Sequence, residues 1–188
     1  MQVKLIACLG NPGLRYSMTW HNAGFWVADV LASEAGVSFL PAGLFAVAEL
    51  DENLDLIKPS AFMNRSGAAV SEFLGLRGYS HDELLVVCDD VNLPIGTLRL
   101  RASGSHGGHN GLRDIIERLE TEDFSRLRLG AGPPPGTTDL ADYVLEKIPG
   151  SLEEEASLMA HRAADCVLMY IREGLEAAQS RYNSKPPD

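Results

Sequence analysis

Residues 3–9 are a short apolar run rich in strand-forming types, and the turn signal Gly10-Asn11-Pro12-Gly13 follows directly. This predicts a strand that ends in a sharp loop. Beyond Asn22 the spacing changes. Phe25, Ala28, Leu31, Ala32 and Ala35 recur with helical period, and Gly36 is placed to end that helix. Residues 44–50 and 54–58 read as two strands of a hairpin across the acidic turn Asp51-Glu52-Asn53. A second helix is expected over 66–76, where Ala69, Val70, Phe73 and Leu74 share a face. The uninterrupted run Leu84-Leu85-Val86-Val87-Cys88 suits a strand covered on both faces.

Leu98-Arg99-Leu100-Arg101 alternates as a half-exposed strand does and runs into the glycine-rich stretch 103–111. Leu112, Ile115, Ile116 and Leu119 then mark a third helix, and 127–131 a further strand ended by Gly132-Pro133-Pro134-Pro135-Gly136. Thr138 or Asp139 can cap the helix that follows. A long amphipathic helix is expected over 152–171 and a short one over 175–182, with 184–188 a flexible C-terminal tail. No repeat or low-complexity linker divides the chain. Strands alternating with helices, with one hairpin pair among them, predict a single α/β domain over 1–183 with a mixed sheet.

Composition narrows the class. The 188 residues are 45% hydrophobic and 22% charged, as in ordinary water-soluble domains. No apolar run approaches the roughly 18 residues of a membrane span, and the opening residues make too short a run for a secretory signal. A cytoplasmic protein is the expectation. Cys8, Cys88 and Cys166 stand alone in apolar surroundings with no Cys-x-x-Cys pair, which disfavours both disulfides and a thiolate metal site. The net charge of −10 argues against tight non-specific binding to a polyanion. Charge is segregated, however: residues 96–113 hold Arg99, Arg101, Arg113, His106 and His109 and no acid at all.

Three predicted strands are followed by polar residues, Asn11, Asn64 and Asp89, and in open α/β sheets ligands bind beyond the carboxyl ends of strands. Core packing does not account for Asp89, which reads either as a functional carboxylate or as a turn or capping one, with Asp90 the solvated member of the pair. His21 precedes the first helix, where the helix dipole favours a neutral imidazole able to act as a base. Alone it reads more readily as a loop or core residue than as a catalyst. It gains a role if it meets Asp89, since a carboxylate fixes the tautomer and stabilises the imidazolium. There is no Gly-x-Ser-x-Gly elbow, and Cys88 lies inside its strand, so water is the natural nucleophile.

The stretch 104–111 opens a helix and its backbone N–H groups can receive an anion, although it lacks the Gly-Lys-Ser/Thr ending of a nucleotide loop. The glycines between His106 and His109 disfavour a rigid metal-ligand pair, and tight-turn packing is the plainer reading. Arg101 and Arg128 flank this loop, either as solvated side chains or as a phosphate clamp.

With these residues assembled, the sequence resembles the bacterial-type peptidyl-tRNA hydrolase family. The motifs, in family order, are Leu9-Gly10-Asn11-Pro12-Gly13 with Tyr16, Thr19-x-His21-Asn22-x-Gly24, Lys58-Pro59-x-x-Phe62-Met63-Asn64-x-Ser66-Gly67, Asp89-Asp90-x-x-Leu93-Pro94-x-Gly96, His106-Gly107-Gly108-His109-Asn110-Gly111-Leu112 and Phe124-x-Arg126-Leu127-Arg128-Leu129-Gly130. The resemblance spans roughly 3–183. It implies a monomeric α/β hydrolase with a mixed twisted sheet flanked by helices, acting on the ester between a peptide and the terminal ribose of tRNA without metal or cofactor. It implies His21 as the general base and Asp89 as its supporting carboxylate. By the same resemblance Asn11 distinguishes blocked from free aminoacyl groups, Tyr16, Phe62, Met63, Asn64 and Asn110 contact peptide and tRNA terminus, and Arg101 and Arg128 hold a tRNA phosphate. Two positions depart from the family pattern. Trp20 stands where arginine is usual, removing a cation expected beside the active-site mouth, and Asn92 stands where aspartate is common. A non-catalytic RNA-binding protein and a nucleoside phosphorylase-like enzyme are the competing classes; the first is disfavoured by the intact His21, Asp89, Asn11 and Asn64, and the second rests on fold analogy alone.

Overall fold

Leu5–Cys8 forms the central strand, β1, and all four of its residues are buried, as an apolar run covered on both faces requires. The structure, a computed structural model, describes residues 2–134 and 136–183; the expected tail at 184–188 lies outside the described residues. Leu40–Ala42 (β2), Phe45–Asp51 (β3) and Leu54–Pro59 (β4) make an antiparallel meander, so the expected hairpin gains a third strand. Leu84–Asp90 (β5), Leu98–Arg101 (β6) and Ser125–Gly130 (β7) complete a seven-stranded mixed sheet ordered β2-β3-β4-β1-β5-β7-β6. β1 runs parallel to β4 and β5, and β5 parallel to β7. Four strands therefore end at one edge of the sheet, the edge where the sequence places Asn11, Asn64 and Asp89.

The helices are Ala23–Ala35 (α1), Ser66–Arg77 (α2), Asn110–Leu119 (α3), Leu140–Leu145 (α4), Glu153–Glu173 (α5) and Leu175–Tyr182 (α6). Alternating residues of the central strands feed two apolar layers. Ile6, Cys8, Leu85 and Val87 pack with α1 and α5, whereas Leu5, Ala7, Val86 and Cys88 pack with α2 and α3. Among the described residues no helix is long and apolar enough to cross a membrane. The three cysteines are free and buried, and burial pushes their thiols up, away from nucleophilic use.

Two local features position the site. A Cβ on Gly24 would lie 2.5 Å from the Leu9 carbonyl and 2.6 Å from that of Val87. Only glycine lets the first turn of α1 sit directly on the ends of β1 and β5, which brings the residues just before α1 to the carboxyl edge. At the far edge β6 is closed by side-chain amides. Leu100 N–H donates to Asn183 Oδ1 at 2.6 Å, and its carbonyl accepts from Asn183 Nδ2 at 3.1 Å and Gln179 Nε2 at 3.0 Å. Those bonds satisfy peptide groups that an open strand edge would offer to another chain.

Candidate active site

His21 lies in a 3₁₀ turn, Trp20–Asn22, that leads into α1, and Asp89 lies one residue from the end of β5. The fold brings them together: His21 Nδ1 is 2.9 Å from Asp89 Oδ1, with both side chains buried. Facing a carboxylate, Nδ1 carries the ring proton, and Nε2 is left with its lone pair. The same Asp89 oxygen meets a second imidazole, His109 Nε2, at 3.1 Å. His109 caps α3, its Nδ1 accepting the Leu112 N–H at 3.2 Å, so its own ring proton sits on Nε2 and is donated to Asp89. Spacing alone assigns His109 to turn packing, and no sequence signal connects it to a strand 20 residues away; the structure makes it the second partner of Asp89.

Burial opposes a charge on the His21 ring, but the Asp89 charge and its hydrogen bond outweigh burial and raise the pKa above the ordinary 6.5. The α1 N-terminus also disfavours a charged ring, and the adjacent carboxylate works against it. Burial also works against Asp89, yet the two imidazoles beside it hold its carboxyl well below the usual carboxylate range. His21, Asp89 and His109 place their ligand atoms within 4.8 Å of one another, close enough to share a cation. A metal bound there would have to displace both ring protons that Asp89 already accepts, so the donor set fits a hydrogen-bonded relay better than a metal centre.

A cavity of about 270 Å³ opens over this group. Its floor is His21, Asp89, His109 and Asn110, and α4 supplies an apolar wall of Leu140, Ala141, Val144 and Leu145. A second cluster adjoins it. Asn22 accepts the Asn11 N–H at 2.8 Å and donates to its carbonyl at 3.0 Å, which locks the loop after β1 beside His21. Asn11 Oδ1 accepts the Met63 N–H at 2.8 Å, fixing the amide of a side chain that is 5% exposed. Met63 is buried, Asn64 and Phe62 are exposed, and the Tyr16 and Phe62 rings meet edge to face at 6.2 Å. Asn110 begins α3, exposed, with Oδ1 accepting from Arg113 at 3.3 Å. A Cβ on Gly111 would lie 2.6 Å from Met63 Sδ and 3.1 Å from His109 Cε1, so a glycine there allows the two halves of the site to touch.

Several expectations are corrected. Asp90 is not solvated: it is 9% exposed, and its Oδ2 accepts from Arg128 Nη1 at 2.9 Å. Asn92 donates to Asp90 Oδ1 through both its backbone N–H at 2.9 Å and its side-chain amide at 3.0 Å. An aspartate at 92 would instead set a second carboxylate against Asp90. Trp20 is 1% exposed and packs on Trp26 at 6.0 Å, so it belongs to the core and not to the mouth of the site. Arg101 and Arg128 are not paired across the strands. Arg101 is exposed opposite Arg126, whereas Arg128 lies opposite Arg99 and is already bonded to Asp90 and to the Ser105 carbonyl at 2.6 Å.

Comparison with known proteins bears on this arrangement. The peptidyl-tRNA hydrolase family model matches residues 5–188. The chain belongs to the peptidyl-tRNA hydrolase family. It is accordingly an enzyme of the carboxylic-ester hydrolase class. It is 45% identical over 190 residues to a peptidyl-tRNA hydrolase of Chloroflexus aggregans, covering 95% of this chain and 98% of that one. It is 41% identical over 182 residues to one from Nocardia farcinica, covering 94% of each. The fold agrees with a crystal structure of peptidyl-tRNA hydrolase from Acinetobacter baumannii at a TM-score of 0.89 and 33% identity, over 99% of this chain and 97% of that one. The family's single α/β domain with a mixed sheet and flanking helices is thus the fold seen here.

Proposed function

We propose that the protein hydrolyses the ester between a peptide and the 3′-terminal ribose of tRNA, recycling tRNA from prematurely released peptidyl-tRNA. The observation that carries this reading is the 2.9 Å contact of His21 Nδ1 with Asp89, which holds the ring with Nε2 free to take a proton from water. Water attacks the ester carbonyl as His21 takes its proton, and the buried Asp89 carboxylate stabilises the imidazolium that forms. Asn110, which lines the cavity with His21, and the exposed Asn64 supply amide dipoles to the water and the developing oxyanion. An ester requires no stronger activation, so the reading assigns no metal or cofactor.

Asn11 serves discrimination. Its carbonyl oxygen is engaged by the Met63 N–H, which leaves the amide NH₂ as the group available to a substrate. A peptide carbonyl can accept from that group; a free aminoacyl ammonium in the same place finds a donor and no acceptor. Tyr16 and Phe62, with Met63 behind them, form an aromatic and apolar face for the peptide and the tRNA terminus. Arg101, exposed, takes a backbone phosphate directly, while Arg128, its charge paired with Asp90, holds the glycine-rich loop from beneath. The reading is of a monomeric cytoplasmic enzyme whose partner is the acceptor end of peptidyl-tRNA.

The test is release of free tRNA from N-acetyl-aminoacyl-tRNA and from the unblocked aminoacyl-tRNA, with a chelator present. Cleavage of the blocked ester alone supports the reading. Tight tRNA binding with no cleavage would favour a non-catalytic RNA-binding role, and loss of activity to the chelator would overturn the metal-free mechanism.

A further inference from the structure

Arg126 on β7 is 1% exposed, and among the described residues no carboxylate bonds to it. A buried cation without a counter-charge is costly, so its surroundings show what holds it there. All its bonds go to backbone carbonyls of two loops. Nη1 donates to Gly104 and, at 3.4 Å, to Ser105; Nη2 donates to Glu122 at 2.7 Å and Phe124 at 3.0 Å; Nε donates to Phe124 at 3.3 Å. The guanidinium also lies over the Phe124 ring, 4.2 Å from its centroid. Arg128 draws the same Ser105 carbonyl inward at 2.6 Å and ties it to Asp90. The loop lies so close on these cations that a Cβ at Gly107 would come within 2.8 Å of Arg128 Nη1.

This loop ends at His109, the second imidazole on Asp89. In a trans peptide the N–H points opposite the carbonyl, so pulling the Gly104 and Ser105 carbonyls inward turns the Ser105 and His106 N–H groups away from the guanidinium. The His106 carbonyl then accepts the His109 N–H at 3.0 Å, and His106 Nδ1 accepts the Gly108 N–H at 3.0 Å, closing a turn that delivers His109 to Asp89. We propose that Arg126 is a positioning residue for the reaction, gathering the carbonyls of Gly104 and Ser105 so that the loop sets His109 against Asp89 beside His21. The inference rests on His21 acting as the base. Arg126 itself touches neither the cavity nor the reacting atoms.

The consequence is measurable at His21. His109 donates one of the two hydrogen bonds that Asp89 Oδ1 accepts, and a carboxylate relieved of that donor acts more strongly on the remaining imidazole. His21 faces Asp89 of β5 and the His109 ring, 4.9 Å between centroids, with the Asp90–Arg128 pair beyond them; α4 presents only Leu140, Ala141, Val144 and Leu145 to the cavity.

The experiment titrates His21 by NMR of ¹⁵N-labelled histidine rings in wild type, His109→Ala, Arg126→Met, Arg126→Lys and the double variant Arg126→Met with His109→Ala. Arg126→Met and His109→Ala are both expected to raise the His21 pKa by about half a unit, and the double variant by no more than His109→Ala alone. Arg126→Lys, which keeps the charge but cannot reach both loops, is expected to show the same shift. Hydrolysis of N-acetyl-aminoacyl-tRNA falls about 10- to 100-fold in kcat in both Arg126 variants. An unshifted His21 in folded Arg126→Met, a shift present in Met but absent in Lys, or an additive double variant would each overturn the proposal. If Arg126→Met does not fold, Arg126→Lys decides it by the same titration. Should the wild type hydrolyse no peptidyl ester, the proposed function fails, and the titration still decides whether Arg126 sets His109 against Asp89.

Discussion

Replacing Asp89 by asparagine preserves the shape of the side chain and removes its charge, which isolates what the carboxylate does for His21. Asp89 is 2% exposed, and its Oδ1 lies 2.9 Å from His21 Nδ1. At that separation, with an effective dielectric constant of about 20, a full charge pair interacts by about 6 kcal/mol. The imidazole carries part of a charge in the transition state, so about half of that is at stake, an expected loss of about 100-fold in the plateau rate. The pH dependence shifts with a definite sign. Burial pushes the His21 pKa down and Asp89 more than restores it, so Asp89→Asn leaves burial to act alone and the acid limb of kcat/KM moves to lower pH. The assay is initial-rate release of tRNA from N-acetyl-aminoacyl-tRNA from about pH 5 to about pH 9, spanning the ordinary histidine range. A variant within about threefold of wild type at the plateau, or an acid limb moved upward, would refute the reasoning.

The same pair makes stability depend on pH. The lowered Asp89 pKa gives a contribution present above about pH 3.9 and lost as pH falls through its folded value; the raised His21 pKa gives one present below about pH 6.5 and lost as pH rises through its folded value. The difference in Tm between wild type and Asp89→Asn should be largest between those limits and smaller in alkaline buffer. Trp20→Ala removes a side chain 1% exposed and should cost about 3–5 kcal/mol in denaturant unfolding, while Trp20→Arg should destabilise without tightening tRNA binding. Arg101→Glu should weaken tRNA binding and flatten its dependence on log salt by about one, with the hydrolysis rate at saturating substrate little changed; an unchanged salt slope would place the phosphate elsewhere.

Most strands and helices were legible because period and punctuation agreed. Gly36 closes α1 in the left-handed conformation, and Leu98 to Arg101 alternates buried with exposed as its spacing predicts. β2 carries no such signal: Leu40–Ala42 is three exposed residues with a central proline, and only pairing with β3 makes it a strand. His21 at the head of α1 and Asp89 ending an apolar strand stood out as candidates by position, while their roles came from the family resemblance and their contact is seen only in the fold. The site was not legible where a role depends on a partner distant in sequence. Asp90 reads as solvated until Arg128 reaches it from β7, and His109 reads as turn packing until the loop folds onto Asp89. A tryptophan beside a candidate base suggests an altered rim, but burial against Trp26 is a tertiary fact that local pattern does not carry.

The most direct test compares wild type with His21→Ala in a single-turnover reaction on N-acetyl-aminoacyl-tRNA, with folding of both proteins checked by near-ultraviolet circular dichroism. Loss of the imidazole leaves Asp89 still bonded to His109, so the variant should fold and bind tRNA while cleavage falls by about 10³-fold or more. Cleavage by folded His21→Ala at a rate near that of wild type would contradict the assignment of His21 as the base and, with it, the mechanism built on its contact with Asp89.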